Sequence, residues 1–247
     1  MKRAWYLRLD EPQVPNSAIL VGDRSRVALL REQMSDTETL NEDRGLLTVV
    51  GTFKGERVIV VAFGMGAPIA AVVAHELIDL GVNRLLRLGT MMPLGATKLG
   101  DFVIASEALS RDGTSPSYQP GKHAFRAGSN ITGDLQRAAI SAGISTVVGK
   151  AMSVDGFYTE MMKLRLSDAF PVDELHDQYA AQGCVGLDME TAALFAVGAT
   201  FGVEVGCCCL ATVDGLTKEK MDDGLRKRGE LMLATIGLNA LAGGASS

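Results

Sequence analysis

Cysteine, histidine and aromatic side chains are scarce in this chain, and basic charge does not outweigh acidic charge. The 247 residues include four cysteines, three of them consecutive (Cys207, Cys208, Cys209) and one apart, Cys184. That arrangement fits neither a disulfide framework nor a zinc knuckle and reads as buried thiols in a strand. The three histidines, His75, His123 and His176, are too scattered to form a metal site, so no metal is expected. With a net charge of -5 there is no clustered excess of Lys and Arg to hold a phosphate backbone or an anionic membrane, so neither partner is expected. No run approaches the ~20 apolar residues of a membrane span. The N-terminal MKRAWYLRLDEPQ lacks an apolar leader core, and a cytoplasmic location is expected. Neither G-x-G-x-x-G nor G-x-x-x-x-G-K-[ST] occurs, which excludes the usual glycine loops for nucleotides.

What is abundant is core material, with 47% apolar and 21% charged residues. No linker or charge run divides the chain, so a single domain over residues 1–247 is expected. Short β-branched runs (SAILVGD, ERVIVVAFGMG, NRLLRLGT, DFVIASEAL, STVVGKAMSV, VEVGCCCLATVDG) alternate with helix-like segments (RSRVALLREQM, PIAAVVAHELIDLG, METAALFAVGATFG). The alternation predicts an α/β fold, three layers around a mixed, mostly parallel sheet buried on both faces. Several strands end in polar or glycine-rich punctuation at Gly22-Asp23, Gly64 to Gly66, Arg87 to Thr90, Leu187 to Glu190 and Thr212 to Gly215. Since carboxyl ends of strands converge on the ligand crevice of open α/β sheets, one shared site is expected there.

Arg87 stands inside an apolar strand, where its guanidinium requires an anion or several acceptors; an internal carboxylate partner is the structural alternative. Thr90 adds a hydroxyl three residues on. Gly22 opens a helix whose free N–H groups, with Arg26 one turn in, make an anion cradle, unless Arg26 is simply solvated. If Met189 begins a helix, Asp188 serves as its cap and Glu190 lies in its first turn, on a different face, free to point inward to hydroxyls. Asp214 precedes Gly215, so it is either a turn residue or a general acid, and the second role requires burial that raises its pKa from about 3.9.

Taken in order, the strand-GD-x-x-R segment, NEDRG, LLRLGT, FY, DMETA and TVDG resemble the nucleoside phosphorylase family that includes hexameric purine nucleoside phosphorylases and uridine phosphorylases. The resemblance runs from Trp5 to about Leu241. It implies cleavage of a nucleoside's N-glycosidic bond by inorganic phosphate as co-substrate, with no metal or organic cofactor, giving free base and pentose 1-phosphate. It assigns Gly22, Arg26, Arg87 and Thr90 to phosphate, with Arg44 of NEDRG reaching a neighbouring subunit's site. Met189 and Glu190 would hold the ribose and Phe157 would stack on the base. Asp214 would protonate a departing purine at N7. Tyr6 stands where the family has a His directed at a neighbour's 5'-hydroxyl, Met91 and Met92 replace a small residue and Gly beside the base, and Asp188 replaces a Glu. Met161 and Lys163 occupy the places of the Gln and Arg with which uridine enzymes read uracil, whereas Asp112 to Pro120 (DGTSPSYQP) is similar to a uridine phosphorylase segment. The resemblance therefore implies a purine nucleoside phosphorylase, with a uridine phosphorylase, a hydrolytic nucleosidase and a silent nucleoside-binding protein as alternatives. It also implies a homo-oligomer, a dimer as minimal unit and a hexamer as the common form.

Overall fold

The computed structural model describes residues 2–164 and 169–243. In chain order its elements are β1 (Ser17–Val21), α1 (Arg24–Arg31), β2 (Ser35–Asn41), β3 (Thr48–Phe53), β4 (Glu56–Ala62), α2 (Ala67–Asp79), β5 (Arg84–Pro93), β6 (Phe102–Ser110), α3 (Ser115–Tyr118), β7 (Ala124–Arg126), α4 (Ser129–Ser141), β8 (Thr146–Ser153), α5 (Val172–Ala181), β9 (Cys184–Asp188), α6 (Thr191–Phe201), β10 (Glu204–Ala211) and α7 (Asp223–Gly243). No described helix is long and apolar enough to cross a membrane.

The apolar runs become the middle strands because they are covered on both faces. On one side α2 and α6 pack through Leu77, Leu194 and Phe195 against Leu20, Val61 and Leu85. On the other, α1, α4 and α7 place Leu30, Leu135, Ile236 and Leu238 against Ile19, Val60, Leu86 and Leu88. The four cysteines are free and buried in β9 and β10, as the composition predicts. Helix α6 is buried along Thr191 to Gly198, so its all-round apolar sequence is that of a helix enclosed by protein. It stops at Gly202, whose φ of 68° supplies the left-handed cap that an L side chain rarely adopts.

The sheet is mixed as expected, and its parallel pairs lie at its centre: β1 with β4 and β5, β5 with β10, β6 with β8, and β8 with β9. Antiparallel pairs carry β2, β3 and β7 and also join β5 to β9 and β6 to β10. The pairings close a ring, β5-β10-β6-β8-β9, which a purely open sheet would not have. Strand β5 belongs to both parts. Its first half is flanked by β1 and β10, with Arg87 opposite Leu20 and Cys207, while Met92 and Pro93 pair with Leu187 and Gly186 of β9. Thr90, Met91 and Met92 thus lie where β5 exchanges one neighbour for another.

Candidate active site

The strand ends converge as the sequence predicts. A cavity of about 500 Å³ opens at Gly22 and Gly64, which follow β1 and β4, at Thr90 within β5, at Asp188, which ends β9, and at Thr212, which follows β10. Ten of the residues singled out from sequence line it: Gly22, Arg26, Arg87, Thr90, Met91, Met92, Phe157, Asp188, Met189 and Glu190. Gly22 is needed for close backbone approach, because a Cβ there would stand 2.8 Å from the Gly64 carbonyl oxygen.

Arg87 organises the polar end. Its Nε donates to Oδ2 of Asp188 at 3.1 Å and to Oγ1 of Thr191 at 3.3 Å, and its Nη2 donates to Oε2 of Glu190 at 2.7 Å. The guanidinium lies flat along the strand over Gly89, where a Cβ would come within 2.7 Å of Cζ. Both carboxylates therefore meet one arginine, contrary to the expectation that they point apart. The reason is local: α6 begins at Thr191, not Met189, so Asp188 ends a strand, Glu190 is the residue preceding the helix, and helical spacing does not apply between them. Asp188 still caps, its Oδ1 accepting the N–H groups of Glu190 and Thr191 at 3.3 Å, and it also accepts the Ser153 hydroxyl at 2.6 Å. The remaining oxygen of Glu190 accepts the Gly66 N–H at 2.7 Å.

This cluster brings two acids and one base out of water together. Burial opposes the charge of Arg87, but Cys209, Glu190 and Asp188 around it outweigh that and hold its pKa above the ordinary arginine value. Burial pushes Glu190 upward, Arg87 opposes the shift, Asp188 adds to it, and the net direction is up. Carboxylate oxygens carry about four lone-pair sites in all, so Glu190 keeps acceptor capacity for ligand hydroxyls beside the bonds it already makes.

A second buried arginine completes the polar end. Arg26 of α1 lies 3.6 Å from Glu230, which also accepts Nε of Arg226 one turn earlier on α7 at 3.1 Å. The Arg26 contact is made by its Nε, which faces the Glu230 carboxylate just beyond hydrogen-bonding distance. Burial lowers its pKa, Glu230 counters the effect and Arg87 adds to it. Arg226 also lines the cavity and was missed from sequence, where the i, i+4 spacing of Arg226 and Glu230 was the available signal.

The other end is apolar. Met92, Met161, Leu187 and Val154 form a separate small core against which Phe157, Met162 and Met189 pack. Met65, Met161, Met162, Thr212 and Val213 line the cavity in addition to the residues expected there.

Three expected residues do not line it. Asp214 is a turn residue: Oδ1 accepts the N–H groups of Leu216 at 2.9 Å and Thr217 at 2.8 Å. Burial pushes its pKa up, but those bonds to Thr217 and Leu216 more than offset it, and the net shift is downward. That corrects the expectation of a raised pKa: the loop is too open and too rich in N–H donors to keep a carboxylic acid neutral. Its neighbours Thr212 and Val213 do line the cavity. Tyr6 and Arg44 lie elsewhere and are together, the Arg44 guanidinium 5.0 Å from the centre of the Tyr6 ring. Glu76 of α2 fixes this corner by accepting the N–H groups of Tyr6 at 2.7 Å and Leu7 at 2.9 Å.

Comparison with known proteins identifies the family and the fold. The family model described as the phosphorylase superfamily matches residues 16–234. A guanosine phosphorylase of Halorubrum lacusprofundi is 30% identical over 216 residues, covering 87% of this chain and 84% of that protein. A uridine phosphorylase of Thermococcus kodakarensis is 27% identical, covering 87% and 79%. Among solved structures, a uridine phosphorylase of Vibrio fischeri superposes with a TM-score of 0.87 at 27% identity, covering 98% of both chains. The family match over most of the chain and the 30% identity to a guanosine phosphorylase over 87% of it place this protein in the phosphorylase superfamily, as an enzyme of the nucleoside phosphorylase kind.

Proposed function

We propose that this enzyme cleaves the N-glycosidic bond of a nucleoside with inorganic phosphate, and that purine nucleosides are its preferred substrates. The observation that carries the reading is the union in one cavity of Arg26, Arg87 and Arg226 with Glu190 and an apolar wall. Guanidinium groups bind a phosphate through paired hydrogen bonds. Glu190 accepts the ribose hydroxyls, with Met189 packed on the sugar. So held, a phosphate oxygen attacks C1' as the bond to the base breaks. Positive charge developing on the sugar is favoured by the nearby carboxylate and phosphate. The electron pair leaves with the base, whose N7 takes up a proton; Asp214, outside the cavity and with its carboxyl held ionised by the turn's N–H groups, is not poised to supply it. Inosine, adenosine and uridine incubated with and without phosphate test this: base release is expected to require phosphate and to be fastest with a purine. Release that is indifferent to phosphate would instead mark a hydrolase, in which the internal pairing of Arg87 is its whole role.

Asp214→Asn separates the chemistry from the fold. Asn keeps the Oδ1 acceptor for Leu216 and Thr217, so the turn is expected to survive. With its acid held ionised and outside the cavity, turnover of purine nucleosides should change by less than about tenfold, with KM for phosphate little changed. A drop of about 10²-fold or more would restore Asp214 as the general acid.

Tyr6 and Arg44, paired outside their own chain's cavity, are proposed to complete a neighbour's site in a homo-oligomer, with a dimer as the minimal unit. Arg44→Ala and Arg87→Met proteins, each weakly active alone, should regain activity when unfolded together and reassembled, because a mixed dimer contains one site with neither substitution. No gain on mixing would place Arg44 outside the neighbour's site.

A further inference from the structure

Six of the chain's eleven methionines line the cavity: Met65, Met91, Met92, Met161, Met162 and Met189. They come from four separate segments of the chain, the loop after β4, strand β5, the single wide helical turn Phe157–Met161 with its next residue, and the loop before α6. A thioether offers shape, polarizability and a weak acceptor, but no hydrogen-bond donor. Methionine is ordinarily a gap-filler of cores. Its concentration around one cavity therefore sets how a ligand is recognised there.

The main chain of this wall is also committed to internal bonds. The Met161 carbonyl accepts Nε2–H of buried His176 at 2.9 Å, Phe157 accepts the N–H of Met162 at 2.8 Å, Gly215 accepts the N–H of Lys163 at 2.9 Å, and Met91 accepts the N–H of Thr212 at 3.2 Å. Glu160, in the same turn as Met161, is held by Arg111 at 3.1 Å and by the Gly156 N–H at 3.2 Å. The carboxylates beside Met189 are held by Arg87. The methionines are seated on glycines: Met91 packs over Gly186, and Met92 Sδ lies 2.8 Å from where a Cβ of Gly215 would stand. A Cβ at Gly186 would collide with the Met91 sulfur, and one at Gly215 first with the Met161 carbonyl oxygen at 2.0 Å.

Resting on the phosphorylase reading above, we infer that the base subsite of this enzyme is the part of this wall made by Met91, Met92, Met161 and Met162, a methionine cage that selects its ligand by flat shape and apolar contact, with Thr212 as the polar side chain beside it and without reading the polar edge of the six-membered ring. The substrate class is then nucleosides of purine-sized bicyclic bases whatever their ring substituents, oxo, amino or none. The purine preference arises from contact area. A pocket that grips by apolar contact separates close analogues by about 10- to 200-fold, whereas one that hydrogen-bonds a polar group rejects the analogue lacking it by about 10⁴-fold or more.

Benzimidazole riboside probes this directly, since it keeps the bicyclic shape and the five-membered ring but has no polar atom on the six-membered ring. Its dissociation constant and that of inosine would be measured calorimetrically on the intact enzyme with phosphate omitted, so that leaving-group chemistry does not enter. The two constants are expected to agree within about 200-fold. Benzimidazole riboside binding weaker than inosine by more than that would overturn the inference and show that the ring edge is read. Phosphate-dependent base release from inosine, measured in parallel, keeps the two levels apart. With that activity present, a large ratio defeats only the cage; with no phosphorolysis of any nucleoside, the functional reading fails and the inference with it.

Discussion

Replacing Arg87 by methionine is expected to leave only weak phosphorolysis and to destabilise the protein at the same time. Arg87 is the partner of two buried carboxylates, Asp188 at 2.9 Å and Glu190 at 2.7 Å. Removing one member of a buried ion pair typically costs about 3–5 kcal/mol, because the charge left behind is uncompensated. At about 2–4 °C per kcal/mol for a chain of this size, Tm should fall on the order of 10 °C, detectable by calorimetry. The kinetic loss is predicted at about 10³-fold or more in kcat/KM for phosphate, the upper end for deleting one preorganised donor, since the guanidinium both neutralises and orients the anion. Arg87→Lys distinguishes the two roles. It keeps the positive charge, so much of the stability should return, but a single ammonium cannot reproduce the fork that reaches Asp188, Thr191 and Glu190 together, so activity should stay low. Recovery of both would show that only the charge matters.

Glu190→Gln is expected to act on the sugar instead. The carboxylate is clamped by Gly66 N–H and Arg87, both donors, so an amide nitrogen on either side would face a donor and the acceptors offered to the ribose would be fewer. A hydrogen bond to a charged group contributes about 1.5–3 kcal/mol, so losing the contacts to two hydroxyls should lower kcat/KM for a ribonucleoside by about 10²- to 10⁴-fold. KM for phosphate should change little. A 2'-deoxyribonucleoside, which lacks one of the hydroxyls, should lose less, so the preference for ribose over deoxyribose should narrow in the variant. An unchanged preference would place the sugar elsewhere.

Much of this site was legible in the sequence because polar residues at the ends of apolar strands have few structural uses. Arg87 and Glu190 stood out as groups that burial would penalise unless something met them, and the structure shows what meets them. The two acids depart from helical spacing for a physical reason: both precede α6, where the backbone aims Asp188 and Glu190 at one guanidinium. Asp214 illustrates the converse. Its Asp-Gly sequence signals a turn, and the turn's N–H groups are what lower its pKa. The closed ring of strands was not legible at all, since nothing within β10 reveals that it pairs with both β5 and β6. Nor was the methionine cage, because Met161, Met162 and Met65 look like ordinary core residues until distant segments are brought together.

The fate of the pentose tests the central claim most directly. Inosine turned over with phosphate in ¹⁸O-water, with the products followed by ³¹P magnetic resonance and mass spectrometry, should yield pentose 1-phosphate in step with free base and carry no ¹⁸O at C1'. Free pentose labelled at C1', with the phosphate signal unchanged, would contradict it.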